Sequence, residues 1–110
     1  MRLFDSHCHI ASERFDEDIA EAIARFQEAG GEKALLVADP CEEEPNQEKV
    51  FALIEQYDFL YGAIGVHPHN ASGWNDAAEK TVLVWCITTK QERFWLMSVH
   101  RLMTHSILLR

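Results

Sequence analysis

Two short stretches of this sequence carry histidines one residue apart: Asp5-Ser6-His7-Cys8-His9 near the N-terminus, and His67-Pro68-His69 about sixty residues later. Neutral imidazole is the commonest side-chain ligand for metal ions. In an extended segment residues i and i+2 face the same way, so a strand end carrying the first pair aims His7 and His9 at one point while Ser6 and Cys8 face away. One ion could then take two nitrogen ligands from a single strand. A bare His-x-His is a short motif, and two surface or hydrogen-bonded histidines are the better account of it until context is added. In the second pair, Gly65 permits close packing and Pro68 stiffens the turn, so His67 and His69 are held by rigid backbone.

Other polar residues receive milder readings. Cys8 fits a small buried thiol. Asp39, just before Pro40, fits an Asx-type turn, and Glu42-Glu43-Glu44 a solvated loop. His100 and His105, five apart, do not share a helix face and receive no role.

The elements that must position the histidines follow from hydrophobic spacing. Arg2–Asp5 reads as a first strand that gives way to polar residues. From Asp16 to Ala29, Ile19, Ala22, Ile23 and Phe26 recur at helical spacing, with Asp16, Glu17 and Asp18 suiting the first turn and Gly30-Gly31 supplying the stop. Ala34–Ala38 is a continuous apolar run, typical of a parallel strand covered on both faces, and Asp39-Pro40 ends it. Pro45 opens a second helix with Val50, Leu53, Ile54 and Tyr57 on one face, and Phe59–Val66 is a third strand ending in His67. Strand and helix alternating at roughly 30 residues per unit is the grammar of right-handed βαβ crossovers, hence an α/β class with a parallel sheet. Both histidine pairs then fall at the carboxyl ends of strands, where parallel α/β folds place their sites. Periodicity alone does not separate a doubly wound sheet from a (β/α)₈ barrel.

The 110 residues suffice for one domain of ordinary size, and a chain 47% apolar and 25% charged has a globular balance. No apolar run approaches the roughly 20 residues of a membrane span, and three cysteines at unpatterned spacing suggest no disulfide framework. The expectation is a cytoplasmic protein without membrane contact. Residues 1–80 hold seventeen acids against six bases, and residues 81–110 hold one acid against four bases, with every glycine and proline before that point. We therefore expect residues 1–80 to form the structured unit and residues 81–110 to be an atypical tail, frame-shifted or divergent. Within that tail, Thr81–Ile87 could serve as a strand and Phe94–Leu109 as a helix. A foreign tail would leave the third strand with an unpaired edge, a surface for self-association.

Leu3–His9 together with Gly65-Val66-His67-Pro68-His69, with two βα units between, closely resembles the start of the TatD family of metal-dependent deoxyribonucleases. The resemblance covers residues 1 to about 75 and implies the first two to three βα units of a TIM barrel of the amidohydrolase type. It implies a divalent-metal cofactor, two ions per complete site with Mg, Mn and Zn not distinguished, and DNA as the substrate; no protein partner is implied. By carry-over His7 and His9 bind one metal, and His67 lines the site as a catalytic residue, with His69 less firmly assigned. The family pattern continues with a glutamate in a Gly-Glu-x-Gly stretch, then further histidines and an aspartate. None is recognisable here, and Glu92 lacks the flanking glycines. A barrel normally needs about 250 residues. The expectation is a truncated hydrolase without a complete site, inactive as it stands. The alternatives are an amidohydrolase or lactonase relative, for which the shared His-x-His speaks, and a non-catalytic remnant, for which the composition break speaks.

Overall fold

The computed structural model describes residues 1–42, 46–88 and 94–96. Four strands, β1 (Leu3–Cys8), β2 (Gly31–Ala38), β3 (Leu60–Ile64) and β4 (Phe94–Leu96), alternate with three helices, α1 (Ile19–Glu28), α2 (Gln47–Gln56) and α3 (Asp76–Thr88). Short 3₁₀ turns at Glu13–Phe15 and Pro68–Gly73 follow the ends of β1 and β3. The strands lie in the order β1-β2-β3-β4 and every pair is parallel. An order that never reverses makes successive right-handed crossovers fall on one face of the sheet, whereas a doubly wound sheet must reverse at a switch point. The described strands therefore wind in a single sense.

One face of this sheet is the core. Ala34, Leu36 and Ala38 of β2 and Leu60 and Ile64 of β3 pack with Ile23 of α1, Val50, Leu53 and Ile54 of α2 and Val82 of α3. Leu36, Ile54 and Ile64 are fully buried, and each such side chain contributes about 1.5–3 kcal/mol by leaving water. Gly62 faces this layer too, paired with Leu36 across the ladder. The other face carries Phe4, Lys33, Leu35 and Tyr61, which the register sets side by side. Phe4 there is 60% exposed, and the Lys33 ammonium stands over the Tyr61 ring at 5.2 Å.

Two glycines bring β1 alongside β2. Gly30 adopts φ +97°, and a Cβ on it would stand 2.0 Å from the Met1 carbonyl oxygen. A Cβ on Gly31 would stand 2.3 Å from the Phe26 ring. The Gly30 carbonyl accepts a hydrogen bond from the Leu3 amide at 2.8 Å, so the turn that ends α1 also holds the start of β1.

Three expectations for residues beyond 80 are corrected. Thr81–Ile87 is helical, not a strand, and lies within α3. Its continuous apolar run has no period to distinguish strand from helix. The decisive signal lies before it: Asn75 Oδ1 accepts the Ala78 amide at 2.9 Å, capping the helix, and Asp76 and Glu79 occupy the first turn. Buried Val82, and Trp85 edge-on to Phe51 with ring centroids 6.0 Å apart, then dock α3 on the core and on α2. The third strand is also not an edge, because Gly62, Ala63 and Ile64 pair with Phe94, Trp95 and Leu96. Self-association through a bare β3 edge loses its footing there. Phe94–Leu96 is strand where a helix was considered; the remainder of that segment, with His100 and His105, lies outside the described residues.

Candidate functional site

At the carboxyl end of β1 the ladder with β2 becomes irregular, Ser6 and His7 of β1 lying opposite Leu35 alone between the Asp5–Ala34 and Cys8–Leu36 pairs. Asp5 Oδ1 accepts the His7 amide at 3.0 Å across this kink. Cys8 turns inward to pack against the core, away from the two histidines, and burial pushes its thiol pKa up. His7 and His9 turn the other way and remain exposed. Their Nε2 atoms lie 2.9 Å apart, with ring centroids at 4.8 Å.

Two nitrogens each bound at about 2.0–2.1 Å to one ion stand about 2.9 Å apart at a right angle and about 3.4 Å apart at a tetrahedral angle. The observed Nε2 separation therefore fits adjacent ligands on one divalent ion. It does not complete a site: no group of three or more His, Cys, Asp or Glu side chains among the described residues is arranged to hold a metal.

His67 enters from the neighbouring rim. It leaves the end of β3 in extended conformation and caps the Pro68–Gly73 turn. Its ring centroid is 5.4 Å from that of His7 and 6.2 Å from that of His9. The two pairs identified from sequence thus meet at one end of the sheet, with His7, His9 and His67 in mutual ring contact and His69 joined to them through His67. His69 is exposed and its ring contacts His67 at 4.7 Å.

The His67 ring nitrogens are distinguished by the backbone. Nδ1 accepts the His69 amide at 3.2 Å, and a backbone N–H can only donate, so Nδ1 presents a lone pair and the proton of the neutral ring sits on Nε2. His67 is thereby a hydrogen-bond donor at Nε2. Between His7 and His9 one Nε2 donates and the other accepts across their 2.9 Å contact, an exchange that an ion between them would replace.

One residue here received a lesser role from sequence than the structure gives it. Asp39, at the end of β2, is 2% exposed. Oδ1 accepts the Cys41 amide at 2.7 Å, the expected Asx-type turn. Oδ2 accepts both the His67 amide at 2.7 Å and the Asn70 side-chain amide at 2.9 Å. The legible signal was an acid directly after a buried apolar strand, at the end where the histidines gather. Its second set of partners, 28 and 31 residues away, had no local trace.

Beside His9 opens a cleft of about 1010 Å³ whose lining includes Glu13, Arg14, Asp16, Asp39 and Lys49. Lys49 Nζ is paired with Asp16 at 2.5 Å. The surrounding potential is negative, with seventeen acids against six bases in residues 1–80. Such walls attract cations and repel phosphates.

Comparison with known proteins gives a consistent answer. The family profile described as TatD related DNase matches residues 4–94, extending past residue 80. The chain is similar to the 3'-5' ssDNA/RNA exonuclease TatD of Cronobacter sakazakii, 40% identical over 74 residues, which are 67% of this chain and 27% of that protein. It is 38% identical over 69 residues to the uncharacterized metal-dependent hydrolase YabD of Bacillus subtilis, covering 63% of this chain and 26% of that one. It is 37% identical over 67 residues to the uncharacterized metal-dependent hydrolase YjjV of Escherichia coli, covering 61% and 25%. The chain spans about a quarter of the length of these relatives.

Proposed function

The chain belongs to the TatD related DNase family, and on that footing we propose that it carries the first βα units of a metal-dependent hydrolase barrel cutting phosphodiester bonds in nucleic acid. The observation that carries this reading is the meeting of His7, His9 and His67 at the carboxyl end of a parallel, singly wound sheet. That is the rim on which barrel enzymes assemble their sites. In a closed barrel the Phe4, Leu35 and Tyr61 face would be interior.

His7 and His9 would hold one divalent ion through Nε2, and their spacing suits it. When bound, such an ion supplies a hydroxide-generating and charge-stabilising centre for an in-line displacement. His67, fixed as a donor at Nε2, offers a proton to an oxygen anion approaching the pair. Asp39 and the acidic cleft bind no phosphate unaided, so cations must bring the substrate in. A second ion and the remaining ligands, supplied by later strands in a full-length barrel, have no counterpart among the described residues. On this reading the described residues by themselves supply too few ligands for catalysis.

The test is relaxation mapping by Mn²⁺ in the intact chain, run beside a nuclease assay on a labelled single-stranded oligonucleotide. The expected result is weak binding that broadens the His7 and His9 ring signals first, with no cleavage above background in either the parent chain or His7→Ala. Broadening confined to the acidic cleft would overturn the assignment of the ligands. Metal-dependent cleavage lost in His7→Ala would overturn the reading of an incomplete site.

A further inference from the structure

We propose that Asp39 is the positioning residue that seats His67 beside His7 and His9. The inference rests on the reading of His67 as a site residue and adds the device that places it. The β2–β3 ladder ends one step past the strands, where the Gly65 amide donates to the Ala38 carbonyl at 3.1 Å. Beyond that point the chain departs at Val66 and His67, and the contacts that fix His67 change character. Its carbonyl accepts the Asn70 amide at 2.8 Å and its Nδ1 accepts the His69 amide. Both bonds lie within its own turn, so they set the shape of that turn without setting where the turn sits.

The far end of the turn is tied to the segment after β2 by Cys41 Sγ donating to the Gly73 carbonyl at 3.4 Å, and the head of the turn, where His67 sits, is tied by the Asp39 carboxylate. Oδ2 takes the His67 amide, at the head of the turn, and the Asn70 side chain three residues further on, so one oxygen holds both ends of its first revolution. Oδ1 simultaneously takes the Cys41 amide, which prevents the carboxylate from rotating away. A carboxylate taken out of water is tolerated when hydrogen bonds replace its solvent, and these three are charge-assisted and short. The ring of His67 follows rigidly, because Nδ1 is tied to the same turn.

Only an acceptor on both oxygens satisfies this arrangement. In Asp39→Asn one end of the side chain becomes an NH₂ donor. Whichever way the amide is turned, it faces either the Cys41 N–H or the His67 and Asn70 donors. Keeping its oxygen on the His67 and Asn70 donors loses only the Cys41 bond, so Asp39→Asn loosens the carboxylate's hold without cutting it, whereas Asp39→Ala removes all three bonds and cuts the tie at the head of the turn. In Asn70→Ala one of three bonds is lost and the His67 amide keeps its acceptor.

The experiment is NMR on the metal-free intact chain. Ring-to-ring NOEs between His7 and His9 and between His7 and His67 are expected in the parent. In Asp39→Ala the His7–His67 NOE should be lost while the His7–His9 NOE and the strand amide pattern persist, and in Asn70→Ala both NOEs should remain. A retained His7–His67 NOE in Asp39→Ala would overturn the proposal. The parent chain gives a second reading should Asp39→Ala fail to fold. Its His67 amide should be shifted downfield and protected from solvent exchange, and rapid exchange there would overturn the proposal equally. Mn²⁺ added to the parent separates the two readings: no broadening at His7 or His9 sinks the ligation assignment and leaves the NOE result for Asp39 standing.

Discussion

The two His-x-His pairs have the same spelling and opposite uses of backbone. On the end of β1 the chain is extended, alternate side chains share a side, and His7 and His9 turn two nitrogens toward one point 2.9 Å apart. At His67-Pro68-His69 a 3₁₀ turn begins, the second histidine contributes its amide rather than its ring, and that amide occupies Nδ1 of the first. The strand pair can share an ion. The turn pair yields a single, oriented donor. What the motif does is decided by the backbone beneath it.

Removing the shared floor should erase the contrast. Ile64 is fully buried at the end of β3 and packs in the core cluster. Ile64→Ala should lower stability by about 2–5 kcal/mol, measured by urea denaturation, and should weaken both pairs together. Gly30→Ala acts on the strand pair first. The φ of +97° and the Met1 carbonyl leave no room for a Cβ, and the loss should be about 1–3 kcal/mol, with the His7–His9 NOE diminished while the His67–His69 contact persists. A stability loss under 0.5 kcal/mol would show that the β1 start can shift freely.

Pro68→Ala probes the other member of the comparison. Pro68 stands in the first turn after the His67 cap, and restoring unfolded-state freedom should destabilise by about 0.4–1 kcal/mol. The His7–His9 geometry should be unaffected. His69→Ala should change stability by less than about 0.5 kcal/mol and leave the His67 ring orientation intact, since the amide of residue 69 holds Nδ1 and the exposed ring contact at 4.7 Å is secondary. Reorientation of His67 in that variant would contradict the role given to the backbone. The smallest effect concerns the ion pair at the far end of β1. Arg2 holds the Glu32 carboxyl below its ordinary 4.5 by hydrogen bond and charge. A lowered carboxyl pKa contributes stability above the unfolded value and loses it as pH falls through the folded value. Both groups are on the surface, so Glu32→Gln should alter the acid limb of a thermal-melt pH series only slightly.

The parts of the fold legible in the sequence were those that repeat a period. α1 shows its stripe of Ile19, Ile23 and Phe26, and β2 its run of buried residues, because burial on one face or on both writes itself into spacing. The meeting of His7 with His67 was legible too, since parallel strands put their carboxyl ends together. α3 was not, because Val82–Ile87 is apolar throughout and the choice between helix and strand fell to Asn75 and to packing on Phe51. The role of Asp39 was half legible. Its local turn follows from Asp-Pro chemistry, and its grip on His67 depends on two strand ends becoming neighbours.

The uninterrupted order of strands has a dynamic consequence. Each strand pairs with those adjacent to it in sequence, so β2 and β3 are hydrogen-bonded on both sides while β1 and β4 have one neighbour each among the described residues. Opening should then proceed inward from the flanks, as in repeat arrays where each unit leans on the next. Amides of Leu36, Val37 and Ala63 should exchange with solvent only in the deepest openings, and those of β1 in shallower ones. His7 and His9 would thus ride on a strand that unzips early, and His67 stands at the end of one that unzips late.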